Sequence, residues 1–136
     1  MRLLGIDYGS KRVGVSVGDT EHGMAFPKVV LKNGQDLVSD ILKIIKDEGI
    51  EGVIVGESKN FKNEDNKIMK DILVFKGKLE EAIGKVVTLH PEFMTSAEAV
   101  QLQGENDMLD ASAAAIILKS YINKAKNNDN DYLRGL

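Results

Sequence analysis

With 136 residues, 43% hydrophobic and 29% charged, the chain has room for one domain with a real core, and its composition fits neither disorder nor a membrane span. The absence of cysteine excludes a disulfide framework and thiolate metal sites, so any metal takes oxygen or imidazole ligands, and a reducing compartment is compatible. A net charge of −3 argues against nonspecific coating of nucleic acid by a globally basic surface; such a partner needs a local basic patch or bridging metal ions.

The amino-terminal run Met1-Arg2-Leu3-Leu4-Gly5-Ile6-Asp7 has no apolar h-region or small-residue cleavage site, so export is not expected. The stretch 2–8 carries the apolar residues Leu3, Leu4 and Ile6 up to Asp7, and beyond Gly9-Ser10 the residues Val13, Val15 and Val17 alternate at the strand period of two. Residues 2–18 are therefore expected as two antiparallel strands joined by a tight turn in which glycine supplies positive φ. A second turn at 19–23 leads to a third strand at 24–31, and Pro27 places that strand at a sheet edge, where a missing N–H is tolerated. Leu37, Ile41, Ile44 and Ile45, with Val38 and Leu42 beside them, then follow helical spacing up to a left-handed cap at Gly49. The short apolar run 52–56 suits a parallel strand buried on both faces.

After a polar loop, Ile68, Ile72, Phe75, Leu79 and Ala82 form the apolar stripe of a second helix ending near Gly84, with Gly77 weakening its middle. Residues 86–89 give the last strand. Thr95 and Glu98 have the spacing of a capping box and predict a short helix, and Asp110 opens a longer one through Ala114, Leu118 and Ile122, whose alanines let it pack close to the sheet. From Asn127 the chain is polar, which predicts a folded domain over 1–126 and a flexible tail over 127–136. Three antiparallel strands followed by helix, strand, helix, strand and terminal helices require an α/β fold with a five-stranded mixed sheet and right-handed crossovers.

The run Gly5-Ile6-Asp7-Tyr8-Gly9-Ser10-Lys11-Arg12-Val13-Gly14-Val15 closely resembles the first-strand motif of the YqgF/RuvX family. The resemblance continues through Val53-Ile54-Val55-Gly56, through Leu89-His90-Pro91-Glu92-Phe93-Met94-Thr95-Ser96-Ala97-Glu98-Ala99, and through Leu109-Asp110-Ala111-Ser112-Ala113-Ala114-Ala115-Ile116-Ile117-Leu118. It implies an RNase H-like fold and a cytoplasmic nuclease acting on structured RNA or branched DNA. The family is associated both with Holliday junction resolution and with trimming of the small-subunit (16S) ribosomal RNA precursor. Nucleases of this fold gather carboxylates to hold Mg²⁺ or Mn²⁺ against a phosphodiester, because hard cations want oxygen ligands. In a two-metal site one ion activates the attacking water and the other stabilises the leaving oxygen. A monomer or weak homodimer is compatible, since paired cuts across a junction call for two sites and end trimming for one.

On this resemblance Asp7, Glu92 and Asp110 are the expected catalytic and metal-binding residues. Two of them also have a simpler role open to them: Asp7 can support the hairpin turn, and Asp110 can cap its helix, with Asp107 one turn earlier. Where the family has Asp-Glu-Arg this chain has Pro91-Glu92-Phe93, which removes one acid and an arginine suited to gripping phosphate. Glu57, in Gly56-Glu57-Ser58 where the family has Gly-Leu-Pro, is a candidate replacement acid, or else a solvated loop residue. Candidate nucleic-acid contacts are Lys11, Arg12, Lys59 and Lys62, together with Lys67 and Lys70, unless the second group is a solvated face mixed with Glu64 and Asp65. Thr95 and Ser96 are candidate phosphate donors, and His90 reads first as a structural histidine. Two other functions compete. The first-strand motif also resembles the phosphate-binding strand of sugar kinases and actin-like ATPases, which need two such domains, and the altered Asp-Glu-Arg position fits a family member that binds nucleic acid or protein without cutting.

Overall fold

A computed structural model describes the backbone of residues 1–57, 67–91 and 109–134, and their side chains except at Lys67, Leu109 and 126–134. The elements run β1 (Arg2–Tyr8), β2 (Arg12–Asp19), β3 (Met24–Lys32), α1 (Leu37–Glu48), β4 (Gly52–Glu57), α2 (Lys67–Ile83), β5 (Thr88–Pro91) and α3 (Leu109–Arg134). They build one five-stranded sheet in the order β3-β2-β1-β4-β5. β1 pairs antiparallel with β2, and β2 with β3, whereas β4 runs parallel to both β1 and β5. This is the mixed α/β sheet that the element order requires. The capping box and short helix expected near Thr95 lie outside the described residues.

Strand alternation sorts the sheet into two different faces. Leu4, Ile6, Val13, Val15, Val53 and Val55 point to one side, where Leu37 and Ile41 of α1 and Met69, Ile72, Phe75 and Leu79 of α2 complete the main core. On the other side the same strands carry small residues: Gly5 on β1, Gly14, Ser16 and Gly18 on β2, and Gly56 on β4. α3 lies across that face, with Ala111, Ser112, Ala113, Ala114 and Ala115 all buried and Ile117, Leu118 and Ile122 packed with Leu3 and Ile54. The close fit is backbone-deep: a Cβ added at Gly5 would come within 2.9 Å of the Ala114 carbonyl, and one at Gly56 within 2.6 Å of Ile117 Cδ1. The buried Ser16 hydroxyl is satisfied by donating to the Gly5 carbonyl at 3.3 Å.

Several elements differ locally from the sequence expectation. Gly9 lacks positive φ, which among the described glycines occurs at Gly23, Gly49 and Gly84. What glycine provides at position 9 is space, since its own N–H donates to the Arg12 carbonyl at 3.0 Å and a Cβ would sit 2.5 Å from that oxygen. Pro27 does lie on the edge strand, at the point where the β2–β3 register shifts between Val15 and Ser16. β5 starts at Thr88, not 86, because Val86 is 80% exposed and only Val87 turns into the core. Ala82 is exposed, and Met69 takes a place in the buried stripe of α2 instead. α3 is a helix of 26 residues that ends at Arg134. Once a helix is nucleated each added residue gains a hydrogen bond, so a run of middling propensity can propagate from a well-packed start. Among the described residues no helix is long and apolar enough to cross a membrane.

Candidate metal centre and nucleic-acid interface

Asp7 owes its position to the central strand. The parallel ladder between β1 and β4 ends with Ile6 opposite Val55, so Asp7 stands one residue past it, at the carboxyl edge where ligands of such sheets bind. Alternation puts Asp7 in the row of Leu3 and Gly5, on the face that α3 covers. In the antiparallel ladder its partner is Gly14. That glycine has no side chain to hold the helix off, and a Cβ there would overlap the carbonyl oxygen of Asp110. The first turn of α3 therefore rests on β2 directly beside Asp7, and two carboxylates more than a hundred residues apart in sequence meet.

Their electrostatics record that meeting. The Asp7 carboxyl is raised to about 6, first by burial and then by the negative charge of Asp110. Asp110 in turn holds Arg12, whose Nε lies 3.1 Å from Oδ2. Asp110 is inside the first turn of α3, where its charge complements the helix dipole and its carboxylate is engaged by a side chain of β2. The two acids offer only hard oxygen donors, and a divalent cation held by them would offset both the burial and the Asp110 charge that raise Asp7. The residues present thus fit Mg²⁺ or Mn²⁺.

The remaining candidates separate clearly. Lys11 is exposed in the β1–β2 turn, where its carbonyl accepts from Asn33 N–H at 3.0 Å. Glu57 ends β4 two residues past its ladder with β1, still paired with Pro91 of β5, and its charge acts on His90. Glu92, Lys59, Lys62, Thr95, Ser96 and Asp107 lie outside the described residues. His90 is buried, with Nε2 3.0 Å from Ser120 Oγ and its ring edge-on to Tyr121 at 5.8 Å. Its pKa is lowered, chiefly by burial and next by Lys124, against the opposing pull of Glu57. His90 thereby ties the end of β5 to α3, the structural role its lone position suggests.

Two contributors carry no local sequence signal. Gly14 looks like an interruption of the Val13–Val15 alternation, and Asn33 like an ordinary loop residue. Asn33 Nδ2 donates to the Gly9 carbonyl at 2.8 Å, tying the β3–α1 loop to the turn that follows Asp7. Among the described residues a trio of Asp19, Glu21 and His22 also brings possible ligand atoms within 4.8 Å of one another. It sits at the opposite end of β1, with Asp19 paired to Arg2, and turn hydrogen bonds account for it: Glu21 N–H donates to Asp19 Oδ1 at 2.8 Å and His22 Nδ1 lies 3.0 Å from Oδ2.

Because Arg12 is largely exposed, its pair with Asp110 contributes little to folding, about 1 kcal/mol or less. Arg12→Ala is accordingly expected to leave thermal unfolding almost unchanged. If Arg12 also meets a phosphate, the same change lowers the slope of log affinity for nucleic acid against log salt by about one. Titrations of binding at several salt concentrations measure this, and an unchanged slope removes Arg12 from the interface.

The family model described as RuvX, Holliday junction resolvase, matches residues 1–124. Among curated relatives, a Phocaeicola vulgatus protein named "Putative pre-16S rRNA nuclease" is 34% identical over 136 residues, covering 92% of this chain and 97% of its own. A Chlorobaculum tepidum protein of the same name is 31% identical over 132 residues, covering 89% and 92%. Among solved structures, RuvC of T. thermophilus in complex with a Holliday junction superposes with a TM-score of 0.62 at 17% identity, over 93% of this chain and 96% of that one. The fowlpox virus resolvase with Holliday junction DNA gives 0.56 at 12% identity, over 92% and 99%. At these identities the two structures speak for the fold alone, which is that of RuvC-like resolvases.

Proposed function

The chain belongs to the RuvX family, and from that premise we propose that it is a Mg²⁺- or Mn²⁺-dependent nuclease hydrolysing phosphodiesters in structured nucleic acid. The observation that carries this reading is the convergence of Asp7 and Asp110 at the carboxyl edge of the central strand, with the Arg12 guanidinium beside them. In the proposed site Asp7 and Asp110, joined by Glu92, hold the metal, and Glu57 at the end of β4 is the candidate to be tested for the acid missing before Glu92. Held by these carboxylates, a divalent ion would supply Lewis-acid polarisation of the phosphodiester and a more acidic attacking water. Arg12 and Lys11, with Lys59, Lys62, Thr95 and Ser96, hold the phosphate backbone in register.

Relatives named for pre-16S rRNA favour the ribosomal RNA precursor as substrate, and with it a cytoplasmic setting; the family description favours a four-way DNA junction. End trimming needs one site and suits a monomer, whereas paired junction cuts need a homodimer. The test is cleavage of both labelled substrates with Mg²⁺ or Mn²⁺, in wild type, Asp7→Asn and Glu57→Gln. Products from the wild type alone, and only with metal, are expected. Glu57→Gln is expected to weaken metal binding, and unchanged affinity and cleavage would remove Glu57 from the site. The sequence Pro91-Glu92-Phe93 favours a second reading, in which the chain binds structured nucleic acid without cutting. Tight binding without products under every metal condition would establish that reading instead.

A further inference from the structure

A groove of about 390 Å³ opens on the opposite side of the sheet edge from Asp7, lined by Tyr8, Asn33 and Gln35 on one wall and by Asp71, Val74 and Lys78 on the other. We propose that this groove receives an unpaired nucleobase from the strand whose phosphate lies at Asp7, an inference that rests on the nuclease reading and names what the site selects.

The placement comes first. Tyr8 directly follows Asp7, so the two Cα atoms are about 3.8 Å apart and their side chains leave opposite faces of the same strand end. A nucleotide chain draped over the edge thus meets the carboxylate with its phosphate and the tyrosine with its base. Hydrogen bonds from Asn33 to Gly9 and Lys11 fasten the near wall to the turn beside Asp7, so groove and carboxylate form one unit.

The chemistry of the lining selects a base over a phosphate. The half-buried Tyr8 ring leans on Phe75 with centroids 4.9 Å apart, giving the groove an aromatic side for stacking. Val74, 57% exposed, presents apolar surface at the far wall, and Leu73 beside it is exposed as well, although neither contributes to the core. Asp71 repels a phosphate but accepts a hydrogen bond from an exocyclic amino group, and the amides of Asn33 and Gln35 can meet the remaining edge of a base. Lys78 is available to the adjoining phosphate. The volume falls in the range of small-ligand sites.

The experiment measures binding of the full-length protein in EDTA, so that no strand is cut, to two fluorescent probes. One is a four-way DNA junction with one unpaired thymine at the crossover, the other an RNA hairpin with a single-stranded 5′ extension, and each is paired with a version abasic at the unpaired position. The wild type is expected to bind the abasic version roughly tenfold more weakly. Val74→Glu, a change confined to exposed surface and checked by circular dichroism, is expected to bind both versions alike. A base-dependent loss in either arm supports the groove and identifies the strand it serves. Equal wild-type affinity for base and abasic versions, or full discrimination retained by Val74→Glu, overturns the groove while leaving the nuclease reading intact. Absence of binding to either probe overturns the groove, and metal-dependent cleavage by the wild type still decides the nuclease reading separately.

Discussion

Asp7→Asn is expected to abolish metal-dependent cleavage and, in the absence of metal, to make the protein more stable at neutral pH. Partial burial and then the Asp110 charge raise this half-buried carboxyl to about 6 in the folded protein, against 3.8 for an ordinary aspartate. Because the folded value is raised, the contribution of this group to stability is fully present below pH 4 and is lost as pH rises through 6. Above that, the wild type carries an ionised carboxylate pressed against Asp110, at a cost of up to about 3 kcal/mol. Asparagine keeps the shape and removes the charge. Unfolding temperatures in EDTA should therefore differ little at pH 4 and by about 5–10 °C in favour of the variant at pH 7.5. A gap that does not change between these pH values would refute a buried ionised Asp7. Millimolar Mg²⁺ or Mn²⁺ should raise the wild type and leave the variant in place, since only a folded site that binds the ion gains from it. Cleavage should fall by at least ~10²-fold, the upper range for losing merely a hydrogen-bond partner of a metal ligand.

Gly14→Ala is expected to be the most destabilising single methyl in the described structure. The added Cβ meets the Asp110 carbonyl, and backbone against backbone leaves no rotamer through which to escape. Either the first turn of α3 lifts off β2 or the β1–β2 ladder yields, and both separate Asp110 from Asp7. A loss of about 3 kcal/mol or more is expected, at the upper end of overpacking, together with loss of the stabilisation by metal at temperatures where the variant remains folded. Gly77→Ala is the control. Gly77 lies inside α2 with open space around it, so the same substitution there should stabilise by about 0.5–1 kcal/mol. If chemical denaturation gives the two variants the same sign, the account of α3 resting on Gly14 is wrong.

The candidate site was partly legible before folding. Asp7 and Asp110 stand out because the motifs around them resemble those of one family, and both take part in the pair that the structure assembles. The resemblance could not say what brings them together, because neither Gly14 nor Arg12 announces a partner on α3. Position 57 is acidic in sequence, but its charge acts on His90, a relation set by strand order and not by spacing along the chain. Asn33 escaped notice for the same reason: its partner is 24 residues away.

By itself the sequence determined whatever depends on neighbours along the chain. The period of two in Val13, Val15 and Val17 makes a strand wherever it is placed, the spacing of Leu37, Ile41 and Ile44 makes an amphipathic helix, and Gly49 ends it in the left-handed region. Tertiary structure alone decided that a row of glycines on β1, β2 and β4 becomes the bed of α3, that Asp7 is desolvated enough to hold its proton to about pH 6, and that Tyr8 faces a groove while Asp7 faces a helix. Local periodicity fixes dihedral angles, whereas burial, charge coupling and cavities arise only when distant segments exclude water from the space between them.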